Sequence, residues 1–168
     1  GGHTEFTVIK KFNNYKRLGT TIDDALGEAF DKTARLLNLS YPGGPKIEKY
    51  AALGDKTRFK LPMPLVNEKN CHFSFSGLKS AVADIVSQHK CTEKFKKDMC
   101  ASFQNTINEI LYVKTRNAIK EYKKITKTKN KVRIVVAGGV AANKSIRFTL
   151  ENLGKEENCE FLFPSIKY

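Results

Sequence analysis

Apolar positions recur along this chain with two different periods. Thr4 to Lys10 (TEFTVIK) alternates β-branched or aromatic residues with polar ones, which predicts a short strand closed by a turn at Asn13-Asn14. From about Asp23 to Asn38 the period changes. Leu26, Phe30, Thr33 and Leu37 fall at i, i+4, i+7 and i+11, one face of a helix. Thr20 or Thr21 is placed to cap it, and Asp23 and Asp24 would sit in its first turn, where the helix dipole favours negative charge. Tyr41-Pro42-Gly43-Gly44-Pro45 reads as its stop, and Pro62 and Pro64 argue against helix in the Lys-rich connection that follows.

The second half is more strongly patterned. His72 to Phe75 predicts a short strand, and Leu78 to Val86 an apolar helix. From Thr92 to about Lys124 a long helix is expected, with Phe95, Met99, Phe103, Ile107, Ile110 and Leu111 in one stripe continued by Ala118 and Tyr122, and a break near Tyr112. Val132 to Ala137 (VRIVVA) is a continuous apolar run, the pattern of a strand covered on both faces. Gly138-Gly139 leads into a helix from about Ala142 to Leu153, with Ile146, Leu150 and Leu153 inward, and Glu160 to Phe163 reads as a last strand. Strands alternating with helices give the α/β class, with a helical block inserted between about residues 78 and 128.

Composition narrows the classes. The chain has 168 residues, 40% hydrophobic and 28% charged, which suits a folded domain or one lobe of a larger protein. No apolar run approaches the roughly 20 residues that cross a bilayer, so a membrane span is excluded, and no membrane is expected among the partners. The chain opens Gly1-Gly2-His3 without a charged-then-apolar leader, so a signal peptide is absent or removed. Cys71, Cys91, Cys100 and Cys159 form no C-x-x-C pair and no zinc-type cluster, so free thiols in a reducing cytoplasm are expected. The formal charge of +13 makes a polyanion a plausible partner. Its densest stretch runs from Lys114 to Arg133 against one acid, Glu121, and reads equally as a phosphate-following surface or as a solvated face.

Chemistry could gather at the glycine doublets Gly1-Gly2, Gly43-Gly44 and Gly138-Gly139, each at a junction between elements. A strand, two glycines and a helix start with Asn143 in its first turn can seat a nucleotide or can be a plain tight turn. Gly1-Gly2-His3-Thr4 has the composition of a phosphate-cradling loop, with His3 beside it. Asp24, Glu28 and Asp31 share one helix face and could hold ribose hydroxyls or a cation, or could be a solvated face with an Arg35–Asp31 pair. His72 and His89 have no partner at ligand spacing and read as structural. Ser74 and Ser76 lack a G-x-S-x-G elbow, which leaves a serine hydrolase unsupported.

Several strings together resemble the universal tRNA threonylcarbamoyladenosine transferase family (bacterial TsaD). They are GGHT at Gly1–Thr4, GTTIDDALGEAFDKTARLL at Gly19–Leu37, YPGGP at Tyr41–Pro45, FSFSGLKSAV at Phe73–Val82 and VAGGVAANKSIR at Val136–Arg147, in order across nearly the whole chain. The resemblance implies an actin/Hsp70/sugar-kinase-like (ASKHA) fold. It also implies transfer of threonylcarbamoyl from threonylcarbamoyl-adenylate to N6 of adenosine 37 in tRNAs that read codons beginning with A. It implies a second phosphate loop at Gly1 and Gly2, substrate contacts at Asp31 and Gly44, and an adenosine contact at Asn143, with His3, Gly138 and Gly139 as secondary candidates. Implied partners are tRNA, a paralogous dimerisation subunit and a P-loop ATPase. The implied cofactor is one divalent metal, iron or zinc, near the phosphates. The family holds that metal with an H-x-x-x-H motif ahead of GGHT and an Asp from a C-T-D-N motif beyond the last residues here, and neither is present. The expectation is therefore an incomplete C-terminal lobe, residues 1–168, without the N-terminal lobe or the extreme C-terminus, with no metal ligands of its own and inactive in isolation. A non-catalytic nucleotide-binding or scaffold fragment acting through partners is the alternative.

Overall fold

The computed structural model describes residues 2–11 and 13–164. The chain opens with an antiparallel hairpin, β1 (Glu5–Lys11) and β2 (Asn14–Thr20), turning at Asn13, whose φ is 60°. The alternating pattern of β1 is as expected, but β2 is an addition. Its run NYKRLGT has polar residues on both faces because the strand is exposed over its first half, so no apolar alternation marks it.

Helix α1 (Leu26–Leu36) starts three residues later than expected. Asp23 and Asp24 lie before it rather than in its first turn, and neither Thr20 nor Thr21 caps it. Thr21 Oγ1 instead donates to the Asp24 carbonyl at 2.6 Å. The orphan N–H groups are met from elsewhere: Ala25 N–H donates to Glu28 Oε2, and Leu26 N–H to Thr4 Oγ1 at 2.9 Å. A cap 22 residues away in the chain leaves no local signature.

Residues Gly43–Ala51 form a second helix, α2, where a stop and an irregular connection were expected. Glycines and a proline in a first turn are compatible with helix, since proline there lacks only an N–H that would be orphaned anyway. His72 to Phe75 contributes a single parallel bridge, Thr21 to Phe73, rather than a strand. Helix α3 (Ser76–Ser87) follows, and then α4 (Glu93–Thr126), 34 residues without the break expected at Tyr112. Leu111 and Ala118 stay buried on either side of that point, so packing runs through it. Thr92 Oγ1 caps α4 by accepting the Phe95 N–H, and Lys127 ends it at φ 52°.

The last unit is β3 (Val132–Val135), a 3-10 turn (Gly139–Ala142), α5 (Lys144–Glu157) and β4 (Cys159–Leu162), with β3 and β4 parallel. The right class emerges, but β3 is not covered on both faces. Among the described residues β4 is its one neighbour, and Val135 is 72% exposed. The main core joins Phe30, Phe73, Phe75, Phe95, Phe103 and Ile107, and a smaller cluster joins Ile119, Val132, Leu153 and Cys159. The four cysteines are free, and burial pushes the Cys100 thiol up to about 12. Among the described residues no helix is long and apolar enough to cross a membrane.

Candidate nucleotide cleft

Helix α1 is the spine on which the candidate residues meet. Its first N–H is held by Thr4, the residue after His3. One residue on, Gly27 faces the 3-10 turn, so close that an added Cβ would lie 3.7 Å from Val140 Cγ2. At its middle, Asp31 Oδ1 accepts the backbone N–H of Gly43 at 2.9 Å and so caps α2. From α2, Glu48 Oε1 in turn accepts the N–H of Lys144 at the start of α5. The start of β1, the Gly138-Gly139 turn and the beginnings of α2 and α5 are thereby linked through contacts to α1 and α2.

The glycines fall into two groups. At Gly43 an added Cβ would sit 2.8 Å from Ala34 Cβ, Asp31 Cα and the Phe30 carbonyl oxygen, and at Gly19 and Gly54 it would overlap backbone outright. Those glycines permit close packing. Among the described glycines, Gly2, Gly44, Gly138 and Gly139 meet nothing within 4 Å. All four are sequence candidates, whereas Gly1 lies outside the described residues. Gly138 has φ 98°, a backbone conformation that side chains rarely adopt. In the first turn of α2 the Gly43 N–H is taken by Asp31 and Pro45 has none, so the Gly44 N–H is the donor left without an acceptor among the described residues. Open N–H groups at a helix start favour an anion or a ribose oxygen.

Asn143 is 7% exposed and is the N-cap of α5. Its Oδ1 accepts the Ile146 N–H at 2.9 Å, and its Nδ2 donates to Gln104 Oε1 at 2.8 Å. Gln104 Nε2 donates to Asn108 Oδ1 at 3.0 Å, and Asn108 Nδ2 to Ser145 Oγ at 2.8 Å. Sequence reasoning missed Gln104, although a signal was there: an amide beside Phe103, one turn before Ile107, lies inside the apolar arc of α4. Gln104, Asn108 and Ser145 also line a groove of about 1020 Å³ between α2, α4 and α5, with Glu48 and Phe148.

The three-carboxylate face divides. Asp24 and Glu28 both bind Lys32 Nζ at 2.7 Å, leaving Asp31 to cap α2, and Asp31 makes no pair with Arg35 among the described ion pairs. Asp23 clamps the FSFS segment: Ser74 Oγ, the Phe75 and Ser76 N–H groups and Ser76 Oγ all donate to it. Burial pushes its carboxyl up, and these bonds outweigh that and hold it below the usual range. His72 Nδ1 lies 3.2 Å from the Thr20 backbone and His89 stacks on Phe95, so both are structural, as expected. His3 is exposed. Among the described residues no group of three or more His, Cys, Asp or Glu is arranged to hold a metal ion.

The basic tract is not uniform. Lys114 is fully buried, donating to the carbonyls of Glu68 and Asn70 and to Asn70 Oδ1, and burial lowers its pKa. Arg116 pairs with Glu157 and Arg133 with Glu160, while Lys123 donates to the Glu157 carbonyl. Acids from α5 and β4, far along the chain, thus meet charges that looked unopposed. Lys120, Lys124, Lys127, Lys129 and Lys131 remain exposed, without a partner among the described ion pairs.

Residues 1–168 match the model of one protein family, described as TsaD: tRNA N6-adenosine threonylcarbamoyltransferase. A tRNA N6-adenosine threonylcarbamoyltransferase of Pelagibacter ubique is 57% identical over 166 residues, 99% of this chain and 46% of that protein. Proteins of the same name from Rickettsia massiliae and Rickettsia bellii are each 48% identical, over 99% and 98% of this chain and 48% of their own length. The chain therefore spans about half the length of the curated relatives it matches.

Proposed function

We infer, because the chain belongs to the tRNA N6-adenosine threonylcarbamoyltransferase family, that it forms one wall of that enzyme's nucleotide cleft. In this reading the chain is part of an ASKHA-type lobe with α3 and α4 as its helical insertion, and works in the cytoplasm. The reaction is transfer of the threonylcarbamoyl group from threonylcarbamoyl-adenylate to N6 of adenosine 37 of tRNAs that decode ANN codons. A paralogous dimerisation subunit and a P-loop ATPase are the protein partners.

The observation that carries the reading is the backbone opening at Gly2, Gly44, Gly138 and Gly139 on elements tied to α1. Here the chain's own residues bind and orient. In this reading the backbone N–H groups of Gly138, Gly139 and Gly2, where the main chain is uncrowded, donate to the phosphate, and the α2 N-terminus adds its positive dipole end. The Gly44 N–H and Asp31 hold the ribose, and Asn143 meets the adenosine. Held this way, the adenylate offers its acyl carbon to an incoming adenosine amine without costing that step its orientational entropy. No step is assigned to a metal. Because the resemblance places the family's metal ligands in motifs that these residues do not contain, the chain alone is expected to bind nucleotide without completing transfer.

The test is a titration of isotopically labelled chain with threonylcarbamoyl-adenylate, followed by amide NMR. Shifts gathering at Gly44, Gly138, Gly139 and Ile146 are expected. Shifts confined to the groove between α2, α4 and α5 would overturn the reading. Adding unmodified tRNA and iron gives a second readout: robust modification by the chain alone would overturn the fragment reading.

A further inference from the structure

We propose that Gln104 is a positioning residue that fixes which way round the Asn143 side-chain amide stands, and thereby which of its polar atoms are left to meet a ligand. The consequence for the ligand rests on the assignment of Asn143 to the adenosine. The relay itself rests on bond directions alone.

The directions follow from one backbone group. Ile146 N–H lies in the first turn of α5 and can only donate, so Asn143 must present Oδ1 to it. That turns Nδ2 toward Gln104, which must answer with Oε1. Gln104 Nε2 then faces Asn108 and requires Oδ1 there, and Asn108 is left to donate through Nδ2 to Ser145 Oγ. Turning any one amide end for end would set donor against donor or oxygen against oxygen. Between Gln104, 4% exposed, and Asn143, 7%, water is poorly placed to repair the mismatch, whereas the Asn108 end of the relay faces the groove. Ser145 lies two residues after Asn143, so the relay leaves α5, crosses two residues of α4 and returns to the same helix end. A pair of surface amides would not be held so.

An Asn amide has two N–H donors and two carbonyl lone pairs. One of each is used internally here, so one of each remains. The chemistry that fits is a ligand edge with an acceptor and a donor side by side, as adenine presents. Without Gln104 the amide is held only through Oδ1, and its remaining N–H loses its fixed direction.

The experiment compares Gln104→Met, which keeps the volume and removes the acceptor, with Gln104→Glu, which keeps an oxygen facing Asn143 in either protonation state. Each is read by exchange of the Asn143 side-chain NH2, by protection of the Ile146 amide and by affinity for AMP. In Gln104→Glu, slow NH2 exchange and AMP affinity within about twofold of the unsubstituted chain are expected. In Gln104→Met, fast NH2 exchange and at least about tenfold weaker AMP binding are expected, with Ile146 still protected. An unchanged Asn143 signal in Gln104→Met overturns the relay. Equal losses in both variants with Ile146 unprotected also overturn it, because that is a packing defect. If Asn143→Ala binds AMP as tightly as the unsubstituted chain, the adenosine assignment fails instead, and the NH2 exchange still decides the relay.

Discussion

Asp31, in the middle of α1, accepts the first backbone N–H of α2 from Gly43 at 2.9 Å. A carboxylate on a helix start satisfies an orphan donor and meets the positive end of the dipole. It also leaves the neighbouring N–H, that of Gly44, as the open donor. Asp31→Ala is expected to lower stability by about 1 kcal/mol, and Asp31→Asn by less because an amide oxygen still accepts. Urea unfolding measures this, and equal losses from both variants would dissociate Asp31 from capping.

Gly43 and Gly44 are adjacent and chemically identical, yet they should respond oppositely. Gly43→Ala forces a methyl against the Phe30 carbonyl and Asp31 Cα, both 2.8 Å away, so α2 must shift, at a cost of about 1–3 kcal/mol. Gly44→Ala meets nothing within 4 Å and should leave stability unchanged or raise it by up to about 1 kcal/mol. Its effect should fall on AMP affinity, where a methyl beside the open N–H hinders the approach of the ligand. Thermal melts and AMP titrations on the same two proteins show whether the effects cross over.

Acid should act through two clamps. Asp98 is 2% exposed and receives bonds from Lys94, the Asp55 N–H and Arg58, which hold its carboxyl well below the usual range. Asp23 is lowered in the same direction. A carboxyl depressed in the folded state contributes its full stability above the unfolded value of about 3.9 and loses it as pH falls through the lower folded value. Stability should therefore fall steeply below about pH 4, and Asp98→Asn should flatten that fall while lowering stability at neutral pH. A variant whose acid limb superimposes on the unsubstituted one would contradict this.

The basic tract should separate into two behaviours. Lys114→Met removes one of the two donors to the carbonyls of Glu68 and Asn70, Asn117 Nδ2 being the other, and should cost about 1 kcal/mol of stability with no specific loss of RNA binding. Lys124→Gln with Lys127→Gln should change stability by no more than about 1 kcal/mol, the lost favour of cations at the end of α4, weaken tRNA binding and reduce its salt slope by roughly one per lost phosphate contact. Filter binding across a salt series distinguishes them; an unchanged slope would remove these lysines from the tRNA surface.

Much of the architecture could be read from periodicity because α3 and α5 bury one face each and α4, although buried all round from Asp98 to Gln104, carries its large apolar side chains in one stripe. What escaped was built from distant partners. α2 begins with glycines and proline and depends on Asp31, 12 residues back, while α1 depends on Thr4, 22 residues back. β2 has polar residues on both faces and exists because β1 pairs with it. At the site, doublets are visible in sequence, but spacing treats Gly43 and Gly44 alike. Only packing separates the glycine pressed on α1 from the one that is open. The Gln104 relay was hidden for the same reason, since an amide in an apolar stripe acquires meaning from the helix across from it.

The undivided α4 belongs to both clusters of apolar side chains. Phe103 and Ile107 lie in the larger, and Ile119 in the smaller, with Val132 and Leu153. At 34 residues it reaches about 50 Å end to end. A rod that threads two nuclei ties their fates: the parallel strand pair cannot melt without loosening the far end of the beam that the phenylalanine cluster grips. Calorimetry should accordingly register one concerted event, and a proline placed at Tyr112, where the beam passes between them, should split it in two.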